Sequence, residues 1–202
     1  VVKGNELVWR TLLDGVFQGQ ERWANLADLA FKAGVPLATA HLATKKPQEI
    51  GALLSYRSGG LSVTNPEKLL RLFCAWRNIK ADQIGTTTRV AFNELLQTIE
   101  KSAAWGGVDA AIHHLGGLQL TDQPKGIGYL RVEPGVETSL APGDEVVVLS
   151  MDSRAAKDWD GFSSIGQTIA DLFASPGWQA SEYRYAMEAK FISNRNWERG
   201  AD

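Results

Sequence analysis

An α+β chain in two parts is what the sequence predicts, and three observations carry that expectation. Apolar residues recur at helical spacing from Val8 to Phe17 and from Leu69 to Trp76, while the short runs Leu61–Thr64 and Val146–Leu149 have the length and β-branched content of strands. Glycine and proline punctuate the chain at Gly34, Ser58-Gly59-Gly60, Gly106-Gly107 and Ser175-Pro176-Gly177. Charge is divided unevenly: residues 1–90 hold 12 Lys+Arg against 7 Asp+Glu, and residues 91–202 hold 9 against 16. A basic front and an acidic back point to two parts with different partners, the front facing something anionic such as nucleic acid.

In the front part, Val8, Leu12, Leu13, Val16 and Phe17 share one face of a helix over Asn5–Phe17, with Asn5 placed to cap it. A second helix, Arg22–Ala33, buries Leu26, Leu29 and Ala30 and stops at Gly34, where a left-handed residue ends a helix. A third begins after Val35-Pro36 at Leu37 and reaches Lys46. Pro47 costs an unbroken helix about 3 kcal/mol and makes this one short or kinked. Gly51–Arg57 and Leu61–Thr64, around Ser58-Gly59-Gly60, form a hairpin. Asn65-Pro66 then starts a helix with stripe residues Leu69, Leu70, Phe73 and Trp76. The first domain is 1–78, and the polar, aperiodic 79–90 reads as a linker.

The back part, 91–193, opens with a helix over Phe92–Lys101, then the run Ala103–Trp105 into Gly106-Gly107 and a helix Val108–Leu115 ending at Gly116-Gly117. Gly126–Val132 and Glu145–Ser150 are strands, the second suited to burial on both faces. Helices Ile165–Ala174 and Ser181–Phe191 close it, and 194–202 is expected to fray.

With 44% hydrophobic and 22% charged residues in 202, the composition is that of a soluble globular chain. Val146–Leu149 is its longest aliphatic stretch, far below the roughly 18 apolar residues of a membrane span, and VVKGNELVWR has no apolar signal core, so a cytoplasmic location is expected. A single cysteine, Cys74, forms no internal disulfide and sits among Leu70, Phe73 and Trp76 as an inert buried thiol. With only His41, His113 and His114 beside it, no metal or other cofactor is expected.

Helix, helix, glycine turn, helix, hairpin is the order of a winged helix-turn-helix. Ala30, four residues before Gly34, lets the central helices cross closely. On that reading the third helix lies in a major groove with Thr39, His41, Leu42, Lys45 and Lys46 outward, and Arg57 with Ser58 forms the wing tip against a minor groove or a phosphate. The competing reading is a helical bundle whose hairpin contacts a protein.

Elsewhere the chemistry is thin. Gly106-Gly107-Val108-Asp109 reads as a tight strand-to-helix turn or as a phosphate cradle at a helix N-terminus. His113 and His114 point about 100° apart on a helix and do not chelate one metal together. Asp158-Trp159-Asp160 has the spacing of a Mg²⁺-binding pair on a strand but lies in a loop-like setting. No nucleophile, base and orienter set assembles, so no catalytic residue is assigned.

The motifs LADLAFKAGVPLATAHL (26–42), GGLSVTNPEKLLRLFCAW (59–76), WGGVDAAIHHLGG (105–117) and GQTIADLFASPGWQASEYRYAME (166–188) give the chain its resemblance to the antitoxin and transcriptional-regulator family of abortive-infection (AbiE-type, type IV) toxin-antitoxin systems. That resemblance implies an N-terminal winged helix that binds operator DNA, followed by a mixed α/β domain related to the nucleotidyltransferase fold without its catalytic residues. By position it carries over only Thr39, His41, Lys45, Lys46 and Arg57.

The function expected is therefore a DNA-binding, self-regulating antitoxin-like protein. Its partners are double-stranded DNA and, for the acidic part, a cognate toxin or a second copy of the chain. A phosphate-handling or nucleotidyltransferase-like enzyme is one alternative, although no Asp-x-Asp follows Gly106-Gly107 within about a dozen residues, as two-metal phosphoryl chemistry wants. A small-molecule-sensing repressor is another.

Overall fold

The computed structural model of the chain describes residues 3–99, 102–132 and 140–193. They form an α+β protein of two compact units, one built from residues 3–77 with 188–193 and the other from 78–187. Among the described residues no helix is long and apolar enough to cross a membrane.

The first unit is organised by helix α1 (Gly4–Phe17), whose Val8, Trp9, Leu12, Leu13 and Val16 are buried. The helix begins one residue earlier than expected, with Lys3 at the capping position and Asn5 inside the first turn. Strand β1 (Arg22–Trp23) follows, so the helix expected from Arg22 starts only at Leu26. The reason is local: the Asn25 side chain accepts a hydrogen bond from the Asp28 N–H at 2.8 Å and so sets the first turn of α2 (Leu26–Ala33). Gly34, at φ 67, ends α2 in the left-handed region.

Helix α3 (Leu37–Glu49) runs through Pro47 without stopping. Proline removes the N–H that would reach the carbonyl of Ala43, and that carbonyl instead accepts the indole N–H of Trp9 at 2.8 Å. A side chain 34 positions away thus restores the missing bond, and the expected break at Pro47 is corrected. Strands β2 (Leu53–Ser55) and β3 (Leu61–Val63) form the expected hairpin, and β1 pairs antiparallel with β3, giving the order β1-β3-β2. Helix α4 (Pro66–Trp76) is capped by Asn65, which accepts from the Lys68 N–H, and buries Leu69, Leu70, Phe73 and Cys74. Trp76, assigned to the stripe, is about half exposed and meets Trp9 edge to face at 5.8 Å.

The second unit begins where a linker was expected. Residues 79–90 are structured: α5 (Ile79–Asp82), β4 (Gln83–Thr87) and the first residues of α6 (Arg89–Thr98). The polar threonines are β-branched, and Thr86 and Thr87 find a strand partner, Val147 and Val146, that no local pattern announces. The third, Thr88, caps α6 by accepting from the Ala91 N–H. Next come β5 (Ala103–Gly106), α7 (Gly107–His114), β6 (Gly126–Leu130), β7 (Val146–Ser150), the single turn α8 (Ala155–Asp158), α9 (Ile165–Ala174) and α10 (Trp178–Glu188). The sheet order is β4-β7-β6-β5, parallel only between β6 and β7.

Both faces of this sheet are covered. Ala104, Ile127, Tyr129 and Leu149 pack on one side with Met151, Ala155 and Trp159, and Ala103, Trp105, Leu130, Val146 and Val148 pack on the other with Phe92. The alternation along each strand is the pleat expressed in sequence. Polar side chains meet inside: the Tyr129 hydroxyl donates to Asp171 at 2.7 Å, and Gln167 Nε2 donates to its other oxygen at 3.0 Å. The last described turn, Ala189–Ser193, is a π-helix belonging to the first unit rather than the second, and the expected fraying of 194–202 lies outside the described residues.

Candidate nucleic-acid interface

Helix α3 buries Ala40, Ala43, Thr44 and Pro47, spaced i, i+3, i+4, i+7. Small residues on that face let α3 pack closely on α1 and α2. The other face carries Leu37, Ala38, His41, Leu42, Lys45 and Lys46 in solvent, Leu42 at 61% exposure. Four of the expected contact residues, His41, Leu42, Lys45 and Lys46, therefore share one exposed surface. Thr39 does not. It is half-buried, and its methyl lies where a Cβ on Gly4 would stand, so it serves the α1–α3 contact. The expectation that Thr39 points outward is corrected: on this helix it sits beside the buried Ala40 and Ala43, toward α1.

Arg57 and Ser58 stand exposed in the β2–β3 turn. The Gly59 N–H donates to the Tyr56 carbonyl and the Tyr56 N–H to the Gly60 carbonyl, both at 2.9 Å, and Gly59 takes φ 91 to close the loop.

Charge in the first unit sorts into two groups. Arg10 and Arg77 are buried, Arg77 at 3.5 Å from the buried Glu6. Arg71 holds Glu188 through two bonds of 2.8 Å, with Glu67 at 3.6 Å. The hydrogen bond to Glu188, reinforced by that carboxylate's charge, raises the Arg71 pKa above its ordinary value against the opposing effect of burial. These arginines serve the fold. Lys46 pairs with Glu49 at 3.0 Å, an exposed pair that offsets its charge only weakly. Lys45 and Arg57 have no acidic partner among the described residues, and they are the cations that helix face and hairpin tip leave for an external anion.

Two neighbours escaped sequence reasoning. Arg22 was read as the start of a helix, whereas β1 places it exposed on an outer strand of the sheet. Tyr56 is 41% exposed beside Arg57; an aromatic next to an arginine in a glycine turn was the available signal.

In the second unit, the glycines at 106 and 107 are packing residues. A Cβ on Gly106 would meet the Tyr129 ring, and one on Gly107, at φ 52, would meet Ile127, so this is a tight strand-to-helix turn against β6. Asp109 pairs with Arg89 at 2.7 Å. His114 lies 2.7 Å from the Ser163 carbonyl, while His113 stacks on Phe162. Asp158 ends α8 beside Arg154 at 3.4 Å, and among the described residues no three His, Cys, Asp or Glu side chains gather as a metal site. No known family model, characterised protein or solved structure matches the chain.

Proposed function

We propose that the chain is a DNA-binding transcriptional regulator whose first unit is a winged helix-turn-helix, with α3 as its reading helix and the β2–β3 hairpin as its wing. Support comes from α2, a left-handed Gly34 and α3 in succession, followed by a hairpin to which β1 adds a third strand. One observation carries the reading: the outer face of α3 presents His41, Leu42, Lys45 and Lys46 to solvent while its inner face is made of small residues. A helix about 10–12 Å across fits a major groove about 12 Å wide. Lys45 and Arg57 then meet phosphates, His41 and Leu42 reach base edges, Leu42 suiting a thymine methyl, and Ser58 adds a hydroxyl at the wing.

The proposal includes membership of the AbiE-type antitoxin family, with a second unit of non-catalytic nucleotidyltransferase-like fold. That unit acts by contact with a cognate toxin or a second copy of the chain, without enzymatic activity or cofactor, in the cytoplasm.

The test is DNA selected from a random pool by the full chain, with affinity followed across a salt series. Each phosphate neutralised contributes about 0.9 to the slope of log K against log salt, so alanine at both Lys45 and Lys46 lowers the slope by up to about 2. An unchanged slope, or no selected sequence, sinks the proposal.

A further inference from the structure

The exposed face of α3 is sorted along its length. Leu37, Ala38 and Leu42 lie in its first two turns, and Lys45 and Lys46 follow one turn later. Positions 37, 38, 41, 42, 45 and 46 form a single stripe opposite the buried Ala40, Ala43, Thr44 and Pro47. At about 100° per residue, Ala38, Leu42 and Lys45 fall in the middle of that stripe, with Leu37 and Lys46 at its two sides. Single leucines scattered in water are ordinary. These are grouped: Leu37 is 54% and Leu42 61% exposed, and Ala38 between them is exposed as well.

What this face lacks decides what it reads. Bases are distinguished in the major groove chiefly by paired hydrogen bonds, from arginine to guanine and from asparagine or glutamine to adenine. No arginine or asparagine occurs in α3. Its one amide, Gln48, is half-buried in the last turn, about 9 Å further along the axis than Leu42. Thr39 is given to the contact with α1. In the first two turns the exposed stripe therefore offers one polar side chain, His41, among three apolar ones. The base-edge group that apolar side chains recognise is the C5-methyl of thymine.

We infer that α3 selects its DNA through thymine methyl groups packed against Leu37, Ala38 and Leu42, with His41 donating to thymine O4 and the lysines on phosphates. This rests on the DNA-binding reading above and adds the class of sequence that is read. Leu37 and Leu42 lie about 7.5 Å apart along the helix, close to two base-pair steps of about 3.4 Å, so they reach thymines within a run of about three base pairs. Lys45, in the middle of the same stripe with no acid beside it among the described residues, favours a duplex over an apolar protein surface, which would bury that charge unpaired.

In the duplex selected by the full chain from a random pool, thymines are replaced by deoxyuridine, which removes the methyl and keeps every hydrogen-bonding group. Each replacement at a contacted position weakens binding about fourfold, the effect of one methyl left unburied, and two together weaken it about tenfold or more. The ratio of thymine to uracil affinity holds across a salt series in which affinity itself falls, because salt screens the phosphate contacts and not the methyl contacts. Leu37→Ala and Leu42→Ala, at exposed sites, keep the unfolding temperature and bring that ratio toward one, whereas Phe31→Ser, at an exposed apolar residue of α2, leaves it unchanged. A 5-methylcytosine·guanine pair in place of thymine·adenine binds less tightly, because an amino group replaces thymine O4.

The inference is overturned if the uracil duplex binds as the thymine duplex does, if both leucine variants keep the parent's ratio, or if 5-methylcytosine serves as well as thymine. A chain that selects no duplex sinks the DNA reading and this inference together, while a selected duplex indifferent to uracil sinks the inference alone.

Discussion

The two units solve the problem of burial differently, and the difference decides what kind of surface each has left over. In the first, α1 is surrounded by helices, and a sheet of strands two or three residues long lies beside them. A small unit of this kind spends one face of α3 on packing and leaves the other convex and basic. In the second, a four-stranded sheet is covered on both faces, and the unfilled space is a concavity where the outer strand β5 meets α6 and the 159–162 segment.

The sharpest way to break that comparison is in the core of the second unit. Phe92 is fully buried against Trp105 and against Gly128, which has no side chain because the ring fills its space. Phe92→Ala should cost about 3–5 kcal/mol in urea unfolding, with α3 and, on the DNA-binding reading proposed above, the salt slope of binding left as they were.

Next in size is the bond that lets α3 pass through its proline. Trp9→Phe leaves the Ala43 carbonyl without its donor and should cost about 1–3 kcal/mol. In a Pro47→Ala background the restored N–H serves that carbonyl, so the same Trp9→Phe change should cost measurably less. A double-mutant cycle with no coupling would show that the helix does not depend on Trp9.

Smaller still is the Arg71–Glu188 pair. Its arginine is partly in solvent, so Glu188→Gln should lower stability by about 1 kcal/mol or less, with a smaller deficit in high salt. The smallest effect separates two adjacent lysines. On the DNA-binding reading proposed above, and because Lys46 faces Glu49 while Lys45 faces no acid among the described residues, Lys45→Gln should reduce DNA affinity at low salt more than Lys46→Gln, a difference of under about threefold in a binding titration. Equal losses would mean that the Glu49 pair opens on DNA.

Much of the first unit was legible because its signals are local. The stripe from Val8 to Val16, the stop at Gly34, the hairpin glycines and the Asn65-Pro66 start all act within a few residues, and so do the four exposed positions of α3 from His41 to Lys46. Thr39 was misread because its orientation depends on Gly4, which belongs to another helix. The concavity in the second unit was not legible: Asn93, Trp105 and Asp160 come from three separated segments, and although Trp105 and Asp160 each stood in a noted motif, nothing local brought the two together.

Taken alone, the sequence determined the α+β class, most helices and the unbroken apolar run that suits the strand at Val146–Ser150 to burial on both faces, since such patterns are properties of neighbouring residues. Tertiary structure decided what depends on a distant partner. β1 and β4 are strands because β3 and β7 supply their hydrogen bonds, so two polar or very short stretches with no apolar period became sheet. α3 continues past Pro47 because Trp9 reaches its free carbonyl, and the turn at Ala189–Ser193 joins the first unit, where Phe191 meets Phe17 edge-on and Glu188 just before it meets Arg71. A backbone group must be paired somewhere, but one segment of sequence does not say with whom.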